Sequence, residues 1–159
     1  MYKKILLAYD GTREGLIALR EGALLAMRCK AQVFLLSVVP ETAGVRVASS
    51  VQGDVVGQQI ESYKAVLKRA VEVARELGLD PVARLVIGEP APRIAAFANE
   101  IGADLIVVGH RRQGALARWW TGVTGSYISD LVNCSVLVAC NPISDEAFEA
   151  ALHSAGEAQ

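Results

Sequence analysis

The sequence predicts an α/β fold: an open five-stranded parallel sheet in strand order 3-2-1-4-5 with helices on both faces. Three observations carry this. Short apolar runs rich in Val, Leu and Ile alternate with stretches of helical period, the pattern of parallel strands joined by crossover helices. The hydrophobic fraction is 52% but the aromatic fraction only 6%, so small aliphatic side chains fill the core, as strands buried on both faces require. A chain of 159 residues fits one core of ordinary size.

Lys4 to Tyr9 is the first strand, a short apolar run bounded by charge. Leu16, Leu19, Ala23, Ala26 and Met27 recur at helical spacing from Thr12 to Cys29, with Thr12 placed to cap the first turn. Gln32 to Val39 is the second strand, and Pro40 to Gly57 has no sustained period and reads as a long surface loop. From Val55 to Leu77, one apolar stripe through Ile60, Tyr63, Leu67, Ala70 and Ala74 predicts a second helix that Gly78 stops. Pro81 to Ile87 is a weaker strand, placed near an edge because Arg84 interrupts it. Gly88-Glu89-Pro90 turns the chain into an Ala-rich helix over 91–101, ended by Gly102. Asp104 to Val108 is the fourth strand, Val123 to Val132 carries a further helical stripe, and Ser135 to Ala139 is the fifth strand. Residues 1–140 are thus read as the domain and 141–159 as a C-terminal tail. Ser144-Asp145-Glu146 is placed there to cap a short helix bearing Phe148 and Leu152.

Sixteen basic and seventeen acidic residues leave a net charge of −1, which excludes a global field for nucleic acid or an anionic membrane. The first apolar run meets Asp10 too soon for a signal peptide or a membrane span, so the expected location is the cytoplasm. Cys29, Cys134 and Cys140 show no metal-ligand or redox spacing and read as free thiols.

In a doubly wound sheet, ligands sit beyond the carboxyl ends of the strands where the winding reverses, here between Asp10 and Gly109. A carboxylate there can accept adenine or ribose hydrogens or help order Mg²⁺. Gly109-His110-Arg111-Arg112-Gln113-Gly114 leaves the fourth strand, and Thr121-Gly122-Val123-Thr124-Gly125-Ser126 opens the next helix. Glycines near a helix start let backbone N–H groups converge on a phosphate, and Arg111, Arg112 and Arg118 flank the span. An anion is the natural guest.

Gly109 to Gly114 has P-loop spacing, but Ala115-Leu116 stand where Lys and Ser/Thr belong. No GxGxxG follows the first strand, and the third strand lacks the Asp of a receiver domain. His110 is the obvious general base, yet no nucleophile is placed beside it, and the sequence assigns no catalytic set and no metal ligands. Trp119-Trp120 read as anchors of their loop.

KKILLAYDGT, LLSVVPE, GEPAPRIAAFANEIGADLIVVG and CSVLVA together resemble the universal stress protein family over residues 2 to 140. The resemblance implies a Rossmann-like five-stranded sheet, a homodimer and, in many members, ATP held by G, two residues, G, nine residues, then G with Ser or Thr. Aligned without gaps, Gly109 and Gly122 match the first and third glycines, while Arg112 stands at the second and Val123 at the hydroxyl. The resemblance places Asp10 at the adenosine, Val38 along the adenine pocket, and the backbone of Val108, Gly109 and Gly122 near ribose and phosphates, and Tyr9 is counted among the nucleotide-binding residues. Arg112 itself can hold a phosphate, and Thr124 or Ser126 can restore the hydroxyl if the helix begins a turn later. The dimer is expected to pair Ser135 to Ala139 with its mate. The implied function is a stress-response protein binding ATP or AMP, with Mg²⁺ where ATP is bound. Hydrolysis is slow or absent because no base, metal cage or arginine finger is evident. The alternative is a nucleotide-free member acting as a dimeric interaction module.

Overall fold

The computed structural model describes residues 1–40, 55–110, 128–140 and 142–156. In chain order they form β1 (Lys4–Ala8), α1 (Arg13–Cys29), β2 (Gln32–Pro40), α2 (Val55–Glu76), β3 (Val82–Gly88), α3 (Pro90–Ile101), β4 (Leu105–Gly109), α4 (Ile128–Leu131), β5 (Ser135–Ala139) and α5 (Asp145–Gly156). The sheet runs β3-β2-β1-β4-β5 with every pair parallel. Fold class and strand order are as the sequence predicts.

Period-two alternation divides the core between the faces. Ile5, Leu7, Val33, Leu35, Leu105 and Val107 pack beneath α1 and α2, against Ala18, Leu19, Ala26, Leu67, Ala70 and Ala74. Leu6, Phe34, Leu36 and Ile106 point the other way, against Ile94, Ala95 and Ala98 of α3 and Ile128 of α4. Small residues on the helices let them lie close to the strands. At Gly22 a Cβ would stand 2.3 Å from Leu7 Cδ2, so α1 has no room for one there.

Several boundaries differ from the sequence reading by a residue. β1 ends at Ala8 rather than Tyr9, because the chain turns at once into the Asp10 loop, although the Tyr9 N–H still donates to the Leu36 carbonyl at 2.9 Å. β2 runs on to Pro40, whose partner is Gly88, so the ladder with β3 outlasts the apolar run. Pro81 lies outside β3, and α3 begins at Pro90, where the missing N–H costs nothing in a first turn. Gly109 closes β4 instead of following it.

Arg84 explains why β3 tolerates a charge. β3 is the sheet edge, and the guanidinium lies 4.3 Å from the Phe97 ring centroid while Nη1 donates to both Glu100 carboxylate oxygens at 2.8 and 2.7 Å.

At the amino edge of the sheet, Asp104 joins β4 to β1. Its Oδ2 accepts from the backbone N–H groups of Lys3 at 2.7 Å and Lys4 at 2.8 Å, and those bonds hold its carboxyl below the usual carboxylate range. A depressed folded pKa contributes stability that is present above the unfolded value of about 3.9 and lost as pH falls through the folded one. Asp104→Asn is therefore expected to lower the melting temperature at pH 7. The difference should close as both proteins are melted at progressively lower pH below about 4; a gap independent of pH would refute the account.

The C-terminal helix is docked. Ser144 caps α5, its Oγ accepting from the Ala147 N–H at 3.2 Å. Phe148 is buried with Ala23 and Leu77, and Arg20 of α1 crosses its ring with the guanidinium carbon 5.1 Å from the centroid. Arg20 also donates to the Ile143 carbonyl at 3.0 Å and pairs with the Asp145 carboxylate.

Candidate functional site

β1 lies between β2 and β4, so the winding reverses beside it. The ladders of β1 end at Ala8↔Leu36 and Leu7↔Val107, and the turn that follows carries Asp10 to the first turn of α1, where a Cβ on Gly15 would stand 2.7 Å from Asp10 Oδ1 and one on Gly109 2.9 Å from the Gly15 nitrogen. Tyr9, Asp10, Val38, Val108 and Gly109 thus lie along the carboxyl edge. Val38 and Val108 are buried on the α3 face, and Tyr9, half-buried, packs on the α1 and α2 face.

The Asp10 carboxylate is held in place by its own loop. Oδ1 accepts from the Thr12 N–H at 3.0 Å and from the Thr12 hydroxyl at 2.5 Å, closing an Asx turn. The Thr12 Oγ1 in turn accepts from the Gly15 N–H at 3.1 Å and caps α1. Gly11 supplies the φ of +80° this turn needs, and a Cβ there would stand 2.8 Å from Val66 of α2. The Asp-Gly pair is thus both a tight turn and a fixed carboxylate at the amino end of a helix.

Gly109 answers to the same helix. A Cβ on it would lie 2.4 Å from the Glu14 carbonyl oxygen, 2.5 Å from the Glu14 carbonyl carbon and 2.9 Å from the Gly15 nitrogen. The first turn of α1 therefore rests on the backbone of β4 at the strand's last residue.

Ser37 belongs to this arrangement and sequence reasoning missed it. It is the buried polar residue of the described core, and its hydroxyl donates to the Tyr9 carbonyl at 2.7 Å. The peptide leaving β1 is thereby tied to β2 through the Tyr9 N–H and through its carbonyl. The signal was present: a lone hydroxyl inside QVFLLSVV has to find a partner. Ser37→Ala is expected to cost about 0.5–1.5 kcal/mol, the usual net contribution of one hydrogen bond. Chemical denaturation checks this, and an unchanged midpoint would show that the bond carries no weight.

Burial first, and then the Asp10 carboxylate, raises the Tyr9 phenol above its ordinary value, while Arg69 of α2 pulls it down. His110 continues the strand by donating its backbone N–H to the Ala139 carbonyl at 3.1 Å. Arg111, Arg112, Gly114, Gly122, Val123 and Thr124, with Arg118, Trp119 and Trp120, lie outside the described residues. Among the described residues no three His, Cys, Asp or Glu side chains group closely enough to hold a metal ion, and no helix is long and apolar enough to cross a membrane.

The residues present suit a nucleoside. Asp10 holds a carboxylate, an acceptor for hydroxyl or amine hydrogens, at the end of β1, and Gly109 puts bare backbone at the end of β4.

Comparison with known proteins agrees with this architecture. A model of the universal stress protein family matches residues 1–139. The chain is 32% identical over 149 residues to universal stress protein YxiE of Bacillus subtilis, with 87% of this chain and 99% of that protein covered. Its fold matches a universal stress protein in complex with cAMP at a TM-score of 0.64, with 24% identity over 87% of this chain and 97% of the other. It also matches the universal stress protein from Archaeoglobus fulgidus in complex with dAMP at a TM-score of 0.65, with 22% identity over 87% and 98% of the two chains. Strand order, the carboxylate turn after β1 and a family match spanning all five strands converge: the chain belongs to the universal stress protein family.

Proposed function

We propose that this universal stress protein binds an adenine nucleotide, ATP or AMP, across the carboxyl ends of β1 and β4, as a stress-response homodimer paired through β5. The observation that carries the reading is the juxtaposition of Asp10, locked by Thr12, with Gly109 at the reversal of the sheet. Solved proteins of the same fold in complex with cAMP and with dAMP support the adenine class. In this reading Asp10 takes the ribose or adenine hydrogens, and Tyr9, Val38 and Val108 line the nucleoside. The backbone of Gly109 and Gly122 approaches the phosphates, with Arg111, Arg112, Gly114, Val123 and Thr124 beside them. Mg²⁺ accompanies ATP on its phosphates. The role is binding, with hydrolysis slow or absent.

Mass spectrometry of small molecules released from the purified protein, together with melting in ATP, AMP, cAMP and dAMP, tests this. A ligand at a hundred times its dissociation constant adds about 2.7 kcal/mol, roughly 5–10 °C for a chain of this size. Asp10→Asn should weaken that shift at least tenfold in ligand concentration. Arg112 and Val123, at two positions of the glycine pattern, favour a second reading: a nucleotide-free dimer that works through protein contacts. No released nucleotide and no shift at millimolar concentration would establish that one instead.

A further inference from the structure

β5 ends the sheet, and among the described residues only β4 pairs with it. The Ser135 N–H donates to the Asp104 carbonyl and the Ala139 carbonyl accepts from the His110 N–H, so Ser135, Leu137 and Ala139 turn their backbone groups toward β4. By the alternation of a strand, Val136 and Val138 turn theirs toward the uncovered edge, and Cys134 and Cys140 stand immediately outside the two ends of that strand. The Cys140 thiol already lies along that edge, 3.5 Å from the Val138 carbonyl oxygen. Val136, Leu137 and Val138 are only half-covered, which is the exposed apolar edge that a second copy removes.

Pairing two copies of this strand fixes which residues meet. In an antiparallel ladder outward-turned groups must face outward-turned groups, so the twofold axis passes through a residue and not between two. Only an axis at Leu137 overlaps the whole of Ser135 to Ala139. That register sets Val136 opposite Val138 of the partner subunit and, continued one residue past each end of the strand, Cys134 opposite Cys140 of the partner subunit. Directly opposed residues of this kind stand about 5.5 Å apart at Cα, within the roughly 4.4–6.8 Å that a disulfide spans. Within one copy the two cysteines bracket an extended strand and lie about 20 Å apart, so a bond between them has to join two chains.

We propose that Cys134 and Cys140 form a pair of symmetry-related disulfides that lock the dimer when it meets a peroxide. This rests on the homodimer proposed above. Cys140, exposed in the single chain and standing at the open end of the ladder, meets the oxidant first. Its thiolate attacks hydrogen peroxide, breaking the O–O bond and giving a sulfenic acid and hydroxide. The half-buried thiol of Cys134 of the partner subunit then attacks that sulfur, the S–S bond forms as the S–O bond breaks, and the departing hydroxide leaves with the thiol proton as water. Two thiols and one peroxide give one disulfide and two waters. Burial chiefly, and then Asp104, pushes the Cys134 thiol up, which fits the partner that waits rather than the one that starts.

The full-length protein, first sized by light scattering under reducing conditions, is treated with hydrogen peroxide at about one equivalent per chain and mapped by non-reducing peptide mass spectrometry. The expected product is a dimer whose mass is two chains less four hydrogens, linked Cys134 to Cys140, reversed by dithiothreitol. Cys140→Ser should abolish the covalent dimer, and Cys29→Ser should leave it unchanged. Cys134→Ser and Cys134→Ala should both abolish it as well, two variants that guard against a folding defect in either one. A dimer under reducing conditions that yields no Cys134 to Cys140 link, or links Cys140 to Cys140, overturns the inference and leaves the dimer standing. A monomer under reducing conditions overturns both.

Discussion

Gly109→Ala is expected to destabilise the protein by about 2–3 kcal/mol, the upper part of the range for overpacking. The added methyl would meet the Glu14 carbonyl at 2.4 Å and the Gly15 nitrogen at 2.9 Å. Those are backbone atoms of a capped helix turn, and no side-chain rotation relieves the overlap. The turn must shift, and with it the Thr12 hydroxyl that caps α1 and holds Asp10. The melting temperature should fall by roughly 5–10 °C. Adenine-nucleotide binding should weaken beyond what the lost stability explains, because the carboxylate and the strand end move together. Gly57→Ala is the control: nothing lies within 4 Å of the added methyl, and Ala is the better helix former. If Gly109→Ala melts with the parent, the contact between α1 and the end of β4 is not the constraint described.

Phe148→Ala is expected to release α5 while the sheet stays folded. Truncating a buried Phe costs about 3–5 kcal/mol when the chain has to remain in place, but a terminal helix can leave, so the measured global loss should be smaller. The ring is held by Ala23 and Leu77 and crossed by Arg20. With the ring gone, Arg20 keeps, among the described residues, an exposed carboxylate and a carbonyl as partners, and pairs of that kind add little. Hydrogen exchange and limited proteolysis should show residues 145–156 unprotected in the variant, with β1, β2 and β4 protected as before. Arg20→Ala should do the same more weakly. Equal loss of protection throughout the sheet would mean that α5 is part of the cooperative core.

Much of this architecture is legible in order along the chain because its causes are local. Thr12 was readable as a cap because a hydroxyl before a helical stripe has an orphan N–H within reach, and it bonds Gly15. Arg84 marked its strand as an edge because a guanidinium inside a central strand would have no route to water, and it lies over Phe97 at the rim. Gly102 was readable as a stop because it adopts φ +62°, a conformation that side chains disfavour. Asp10 and Gly109 were marked as neighbours by the reversal of winding alone.

Other features needed the fold. Ser37 passed unnoticed inside an apolar run, since its partner is a carbonyl far along the chain that only the pairing of β1 with β2 brings to 2.7 Å. Gly109 was read as backbone near ribose and phosphates, and that its bare Cα is also the floor on which α1 rests needed the fold. The tail showed a cap and an apolar pair, but whether it docks turned on Arg20, a residue of the first helix.

By itself the sequence determined the class of fold, the order of its elements and the two strand ends where the winding reverses, because periodicity, caps and turns act within a few residues of where they are written. Tertiary structure alone decided which groups hold those ends in place and which backbone groups β5 turns outward, because contacts between distant segments depend on register and close approach, and neither is encoded in any one stretch of the chain.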